Sequence, residues 1–384
     1  MKNIGIICEY NPFHKGHFEQ IRYIREYFAP EEVTVISLMS GNFVQRGDFS
    51  VYPKYIRAEA AINCGADLII ELPFPFSMGS AAVFADSAVS ILERLGCVDY
   101  LFFGSESGDT EQLDKIAERL SSKEFDDFFK NRLAAYSSTP ESCAYIRSDV
   151  YKCLYGQELL KSPNDILGIE YLIALKKRNS RIIPVVHKRV GGYSATASRT
   201  AVKDGKDLSE YVPNAAAEIF SRVKPTSLAD IDKALLGFYR VADVNGLSYC
   251  AENELSLTSR IIKYSRKCGT FAEVLERSAT KKYTNARIRR AAIYGYVGVH
   301  GSRMREEPMY TRLLAANGKG CEMLKSIKKI TKIPVITKPS DAGEEIRTSL
   351  QYECEERGEL IYALACDDLP QGYGNRPIIV DKRS

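Results

Sequence analysis

An α/β fold is predicted for this chain: a parallel sheet with helices on both faces, followed by a mainly α C-terminal domain. Two patterns carry that expectation. Through the first half of the chain, short apolar runs alternate with longer amphipathic stretches, as strands joined by helical crossovers do. Past the 213–227 region the apolar period becomes mainly helical, around 228–240 and 256–267. The 384 residues suit two domains, read here as 1–215 and 216–384.

Residues 4–7 (Ile-Gly-Ile-Ile) read as a short buried strand, broken by Asn11 and Pro12. A helix starts near Lys15 and places His17, Ile21, Ile24 and Phe28 on one face. Residues 33–38 form a second strand, and the polar, glycine-bearing 39–48 stretch a loop after it. Pro53 opens a helix that Gly65 stops. Residues 67–72 are a third strand, cut by Pro73 and Pro75, and 80–95 a helix ended by Gly96. Strands follow at 100–103 and 182–186, with charged helical sequence over 111–160 and a helix opened by Asn164 between them. A late strand at 333–337 adds a small β element to the helical part. Ligands of a parallel sheet sit beyond the carboxyl ends of its strands. The loops at 8–17, 39–48, 73–77 and 104–106 should therefore converge on one crevice.

Composition narrows the class. Hydrophobic content of 45% and charged content of 27% are those of an ordinary globular protein. Lys plus Arg (53) exceed Asp plus Glu (49) by 4, so nucleic-acid contact has to be argued from local clusters. No apolar run approaches the roughly 18 residues of a membrane span, and no export signal is read at the start. Ten scattered cysteines without a C-x-x-C pair read as reduced thiols, so the cytoplasm is the expected compartment.

The chemistry concentrates at 4–18. His14, Gly16 and His17 fall at a helix N-terminus, where free N–H groups and the dipole attract anions. Two imidazoles at i and i+3 can hold one phosphoryl group as its bond to a leaving group breaks. They could also be half of a metal site. The other histidines are His187 and His300, and no acidic residue follows at ligand spacing, so no metal site is expected. Arg199, behind a Ser/Thr-rich turn, offers a guanidinium to phosphates. Over 281–294 a helix would put Tyr283, Arg287, Arg290 and Tyr294 on one stripe beside Lys282. Cations interleaved with aromatics suit RNA phosphates and unpaired bases. Lys325, Lys328, Lys329 and Lys332 add a second basic run.

Strand, Asn-Pro-Phe-His loop and Gly-His helix start together resemble the HxGH signature of the nucleotidyltransferase superfamily. That likeness implies a Rossmann-like nucleotidyltransferase sheet, with His14 and His17 on nucleotide phosphates. The superfamily's late Ser-x-Thr-x-x-Arg motif is matched by Ser194, Thr196 and Arg199, with Ser198 where Ile is more usual. A wider set of stretches, GIICEYNPFHKGH, MSGNFVQRG, GADLIIELPFPFS, FFGSE, SPNDILGIEYL, KYTNARIRRA and KIPVITKPSD, resembles the bacterial tRNA(Met) cytidine acetate ligase family over nearly the whole chain.

The resemblance implies an ATP-dependent ligase that joins acetate to AMP and acetylates N4 of the wobble cytidine of elongator tRNA(Met). Acetate, ATP and that tRNA are the implied partners, with Mg2+ accompanying the nucleotide, and neither membrane nor DNA. The family's nucleotide contacts map onto Ile7, Cys8, Glu9, Tyr10, Asn11, Pro12, Phe13, His14, Lys15, Gly16, His17, Phe18, Glu19 and Gln20, then Gly104, Asn164 and Arg189. His14, His17 and Arg199 are the implied catalytic residues. Lys282, Tyr283, Arg287, Arg290 and Tyr294 are the expected tRNA contacts. Gly191-Gly192-Tyr193 stands where the family more often has a Tyr-His pair. The alternatives are a small-molecule adenylyltransferase, which needs no basic C-terminal half, and a non-catalytic tRNA-binding protein, which needs no histidine pair.

Overall fold

The computed structural model describes residues 1–136, 141–189, 194–366 and 376–380, so Gly191, Gly192 and Tyr193 lie outside the described residues. Its strands are β1 Lys2–Cys8, β2 Val33–Ser40, β3 Phe43–Val44, β4 Asp48–Phe49, β5 Leu68–Leu72, β6 Tyr100–Ser105, β7 Ile183–Lys188, β8 Thr311–Asn317, β9 Val335–Ile336 and β10 Ile378–Val380. The first helices are α1 Lys15–Tyr27, α2 Lys54–Asn63, α3 Ala81–Leu95, α4 Thr110–Leu120, α5 Lys123–Ala135, α6 Cys143–Tyr155, α7 Pro163–Lys177, α8 Ala195–Lys203 and α9 Asn214–Phe220. They are followed by α10 Asp232–Val241, α11 Leu255–Ser265, α12 Phe271–Ser278, α13 Asn285–Val297, α14 Gly318–Ile330, α15 Glu344–Arg347 and α16 Leu350–Ala363.

The central sheet runs β10-β8-β5-β2-β1-β6-β7, with β9 beside β8. Strands β1, β2, β5, β6 and β7 pair in parallel, whereas β8 enters antiparallel to β5. Every residue of β2 and β5 is buried, as expected for strands covered on both faces. One face packs Leu38, Ile70 and Leu101 against α3 and α7 residues such as Phe84, Leu92 and Leu172. The other packs Ile4, Ile6 and Val35 against Ile21, Ile24, Ala61 and Phe220.

A third core binds the helical part to the first half. Leu235, Tyr239, Ile261, Ile288, Ala292 and Tyr294 share it with Phe43, Phe49, Phe74 and Met78. No helix among the described residues is long and apolar enough to cross a membrane. All ten cysteines are free thiols.

Two expectations need correction. The boundary at 215 does not divide the sheet: β8 and β10 belong to it and come from the C-terminal half. β8 reads Thr-Arg-Leu-Leu-Ala-Ala-Asn and leads straight into a helix, so its helix-forming residues mask a strand whose place is fixed by pairing. The 39–48 stretch is not only a loop, since Phe43–Phe49 and Val44–Asp48 pair as a small antiparallel hairpin. At its tip Gly47 adopts a positive φ of 72°, and a Cβ there would stand 2.7 Å from the Arg290 backbone nitrogen. Glycine thus lets the hairpin lie directly on α13.

Candidate active site

At the carboxyl end of β1 the chain turns sharply. Tyr10 takes a left-handed φ of 45°, unusual for a residue with a side chain. Its ring is buried and its hydroxyl shares a hydrogen bond with Ser37 Oγ at 2.9 Å. Asn11 Oδ1 accepts from the Val51 N–H at 2.7 Å, fixing the loop to the segment before α2. Lys15 N–H reaches the Tyr211 carbonyl at 3.0 Å.

Helix α1 then starts on an unusual cap. His14 is the N-cap residue, and its Nδ1 accepts from the Gly16 N–H at 3.0 Å. His17 returns the favour, its Nδ1 accepting from the His14 N–H at 3.2 Å. The rings stack with centroids 3.7 Å apart, and Tyr10 and Phe13 box His17 from the other sides. A neutral imidazole that accepts at Nδ1 carries its proton on Nε2. Both rings are held neutral. Burial drives His14 down to about 4, helped by Arg189 and Arg199. His17 lies well below its ordinary value through burial, then His14 and Arg189. The site therefore presents two oriented Nε2–H donors rather than two imidazolium ions.

A pH consequence follows. Any chemistry that draws on these two donors should show no inflection near the ordinary histidine value of 6.5. The stability sign is opposite to that of a salt-bridged histidine. Below 6.5 the unfolded rings take up protons that the folded rings refuse, so stability falls as pH drops toward 4. The pH–rate profile of the reaction from pH 6 to 8 checks the first statement, and an inflection near 6.5 that His14→Gln abolishes would overturn it.

Arg199 arrives from α8, 188 residues later, and donates to the Asn11 carbonyl at 3.0 Å and to Thr196 Oγ1 at 3.2 Å. The late Arg and the histidine loop are thus brought together. Ser194 caps α8 by accepting from the Ala197 N–H at 3.0 Å, and Ser198 is buried and donates to the Ser194 carbonyl at 3.2 Å.

Gly104, at the end of β6, lies under Arg189. A Cβ there would be 2.9 Å from Arg189 Cγ, so glycine lets the arginine lie across the strand end. Asn164 is not a cap. It sits one residue inside α7, and its Nδ2 donates to Glu106 Oε1 at 2.7 Å. Glu106 itself takes the free N–H groups of Asn164 and Asp165, both at 3.1 Å. Asp165 is buried and accepts from Ser105 Oγ at 2.5 Å and from Ser107.

Of the 7–20 stretch, Cys8, Tyr10, Asn11, Pro12, Phe13 and His14 are buried, Ile7 packs against the core, and burial pushes the Cys8 thiol up. Ile7, Cys8, Tyr10, Pro12 and Phe13 thus have main chain rather than side-chain polar groups to offer a ligand. Glu9, Lys15, Gly16, His17, Glu19 and Gln20 are partly exposed and Phe18 is exposed.

Three residues that frame the crevice escaped the sequence reading. Arg57 is fully buried, yet every hydrogen bond it donates ends on a main-chain carbonyl: Tyr52 at 2.9 Å, Ser40 at 3.1 Å, and those of Glu9 and Gly41. It pins the ends of β1 and β2 to the start of α2. Gln45, in the hairpin, donates its N–H to Glu9 Oε1 at 2.8 Å. Glu106 is the third. Only the absence of an acidic partner in sequence could have hinted at Arg57.

The expected tRNA stripe is corrected by burial. Tyr283 precedes α13 and is 4% exposed, and Tyr294 is 0% exposed with its hydroxyl on the Pro75 carbonyl. Neither can stack on a base. Arg290 is paired to Glu252 at 2.7 Å, Arg287 to Glu254, and Lys282 to Glu254 at 3.1 Å. These cations balance acids of the loop before α11. The second run, Lys325, Lys328, Lys329 and Lys332, is exposed, but Lys332 N–H bonds the Arg94 carbonyl near the end of α3, at the edge of the sheet opposite the crevice.

The chain is similar to known proteins over most of its length. The HIGH Nucleotidyl Transferase family profile matches residues 1–371. The tRNA(Met) cytidine acetate ligase of Caldanaerobacter subterraneus subsp. tengcongensis is 33% identical over 393 residues, covering 95% of this chain and 96% of that protein. The protein of the same name from Acetivibrio thermocellus is 32% identical, covering 89% of each. Thermotoga maritima TmcAL bound with alpha-thio ATP superposes with a TM-score of 0.90 at 29% identity, covering 100% of both chains.

Proposed function

This chain belongs to the tRNA(Met) cytidine acetate ligases of the HIGH nucleotidyl transferase family, and from that premise we propose how its own residues carry ATP-dependent acetylation of the wobble cytidine of elongator tRNA(Met). The reaction needs two steps. Acetate is a poor electrophile, so its carboxylate first attacks the α-phosphate of ATP and pyrophosphate leaves. The cytosine N4 amine then attacks the acetyl carbonyl of the resulting acetyl-adenylate, releasing AMP.

The observation that carries the assignment is the two-histidine cap. It fixes two Nε2–H donors at the N-terminus of α1, where charge on a phosphoryl group is best met. Arg199, tethered to Asn11, and Arg189, lying over Gly104, supply the cations that hold the leaving pyrophosphate. Because the donors are set before substrate arrives, little reorganisation opposes the step. Among the described residues no group of three or more His, Cys, Asp or Glu could hold a metal ion. Mg2+ is proposed to accompany the triphosphate of the nucleotide.

For tRNA, the exposed Arg46 and Lys188 at the crevice rim replace the α13 stripe as the expected phosphate contacts. A wobble base lies in a single-stranded loop and can be turned into the crevice without opening a duplex. Ten free thiols suit a reducing compartment, and the cytoplasm is the proposed location.

Incubation of purified protein with elongator tRNA(Met), ATP and acetate, followed by mass spectrometry of the digested nucleosides, tests the assignment. N4-acetylcytidine is expected with AMP and pyrophosphate, and acetyl-CoA should not replace acetate plus ATP. No acetylcytidine, or equal yield from acetyl-CoA alone, would overturn it.

A further inference from the structure

The transfer step releases a proton from the cytosine amine, and the crevice must supply an acceptor for it. The histidines are excluded. Each Nδ1 lone pair is engaged by a backbone N–H, and each Nε2 carries hydrogen. Glu106 and Asp165 are spent on the N-terminus of α7 and on Ser105 and Ser107. Glu19 is paired to Arg22 at 2.6 Å, which leaves Glu9 and Asp48 among the described carboxylates that border the loop.

Glu9 is the better placed. It follows β1 directly and lies within the histidine loop. Its Oε1 is fixed by the Gln45 N–H at 2.8 Å, and among the described residues its Oε2 receives no hydrogen bond, in a residue of intermediate exposure. We propose that Glu9 is the general base of the acetyl-transfer step, an assignment that rests on the ligase function above. The N4 lone pair forms the C–N bond to the acetyl carbonyl carbon. The bond from that carbon to the phosphate oxygen breaks, its electron pair leaving on AMP, and the N–H proton passes to Glu9 Oε2.

The surroundings suit the role. Burial raises the Glu9 carboxyl above its ordinary value, and the Gln45 N–H with Arg199 from α8, Arg46 from the hairpin and Arg57 from α2 offset this only in part. Tyr171 from α7 also faces it. A carboxylate of raised basicity is a better acceptor at neutral pH than a free one. Burial raises Asp48 as well, so geometry decides between them: Asp48 accepts from the Phe49 N–H at 2.9 Å and turns its other oxygen toward Arg289.

The two half-reactions separate the roles. Transfer is followed in single turnover from synthetic acetyl-adenylate to elongator tRNA(Met), and activation by acetate-dependent ATP–pyrophosphate exchange. Glu9→Gln should slow transfer by about 10²- to 10³-fold and abolish the rise of the wild-type rate with pH. Exchange should fall too, since Glu9 borders the nucleotide loop, but by no more than about tenfold. Asp48→Asn should leave transfer within about threefold of wild type. Parallel losses in both half-reactions, a Glu9→Gln transfer rate near wild type, or the same loss in Asp48→Asn would overturn the assignment. Should Glu9→Gln not fold, Glu9→Asp decides: slower transfer that keeps the pH rise supports the base, and unchanged transfer refutes it. Wild-type protein that makes no acetylcytidine from acetyl-adenylate would instead sink the ligase function, and this role with it.

Discussion

His17→Ala is expected to lower acetate-dependent pyrophosphate exchange by about two to three orders of magnitude, the usual loss for one preorganised transition-state donor. On the proposed mechanism the substitution removes an Nε2–H donor to the α-phosphate, and it removes the Nδ1 that accepts the His14 backbone N–H. It also opens one side of the stack that holds the His14 ring. The structural penalty is small by comparison. One hydrogen bond at a helix cap is worth about 1 kcal/mol, and β1 and α1 keep the contacts of Ile4, Ile21 and Ile24. Thermal unfolding measured beside exchange separates the two effects. Exchange within about threefold of wild type would remove His17 from the chemistry.

Lys54→Met should destabilise the protein by about 3–5 kcal/mol, the cost of leaving buried charge without its partner. Lys54 is 1% exposed and reaches Glu71 at 2.9 Å and Glu359 at 3.0 Å, with Glu355 at 3.8 Å. Arg312 closes the cluster, 3.1 Å from Glu355 and 3.6 Å from Glu71. Three carboxylates thus face two cations, and removal of Lys54 leaves one. The group ties α2, β5 and β8 to α16, so the loss should spread across both halves of the chain. Burial pushes Glu71 up to about 7, more than Lys54 can offset. A carboxyl raised in the folded state holds a proton that the unfolded chain gives up. That contribution is present below 4.5 and is lost as pH rises through 7. Denaturant titrations at pH 5 and pH 8 should show the larger loss at pH 8. A difference under about 1 kcal/mol at pH 8 would mean that the cluster is hydrated or rearranges.

How much of this was legible depends on the range of the interaction. The strand at 4–7, its Asn-Pro break and the helix from Lys15 are local patterns, and the structure keeps each within a residue or two. The carboxyl-edge crevice follows from alternation alone. The α13 stripe misled because spacing says which residues share a face but not which face is covered; Phe74 and the Pro75 carbonyl cover Tyr294 from the other half of the chain. Arg57 and Glu106 were invisible because their partners are mostly main-chain atoms, 5 to 59 residues away. β8 was hidden by its composition: Leu-Leu-Ala-Ala favours a helix until an open sheet edge offers it hydrogen bonds.

That late strand also sets an order of events during synthesis. By the time β7 has left the ribosome, the five strands β5-β2-β1-β6-β7 are complete, but β5 still shows one row of unpaired N–H and C=O groups along an edge that is apolar except for Glu71. Such an edge invites pairing with another nascent chain. It stays open until residues 311–317 emerge and cover it, and Glu71 lacks Arg312 and Glu355 for the same interval. Chains halted between the two points should therefore depend on a holding chaperone, and finished ones should not.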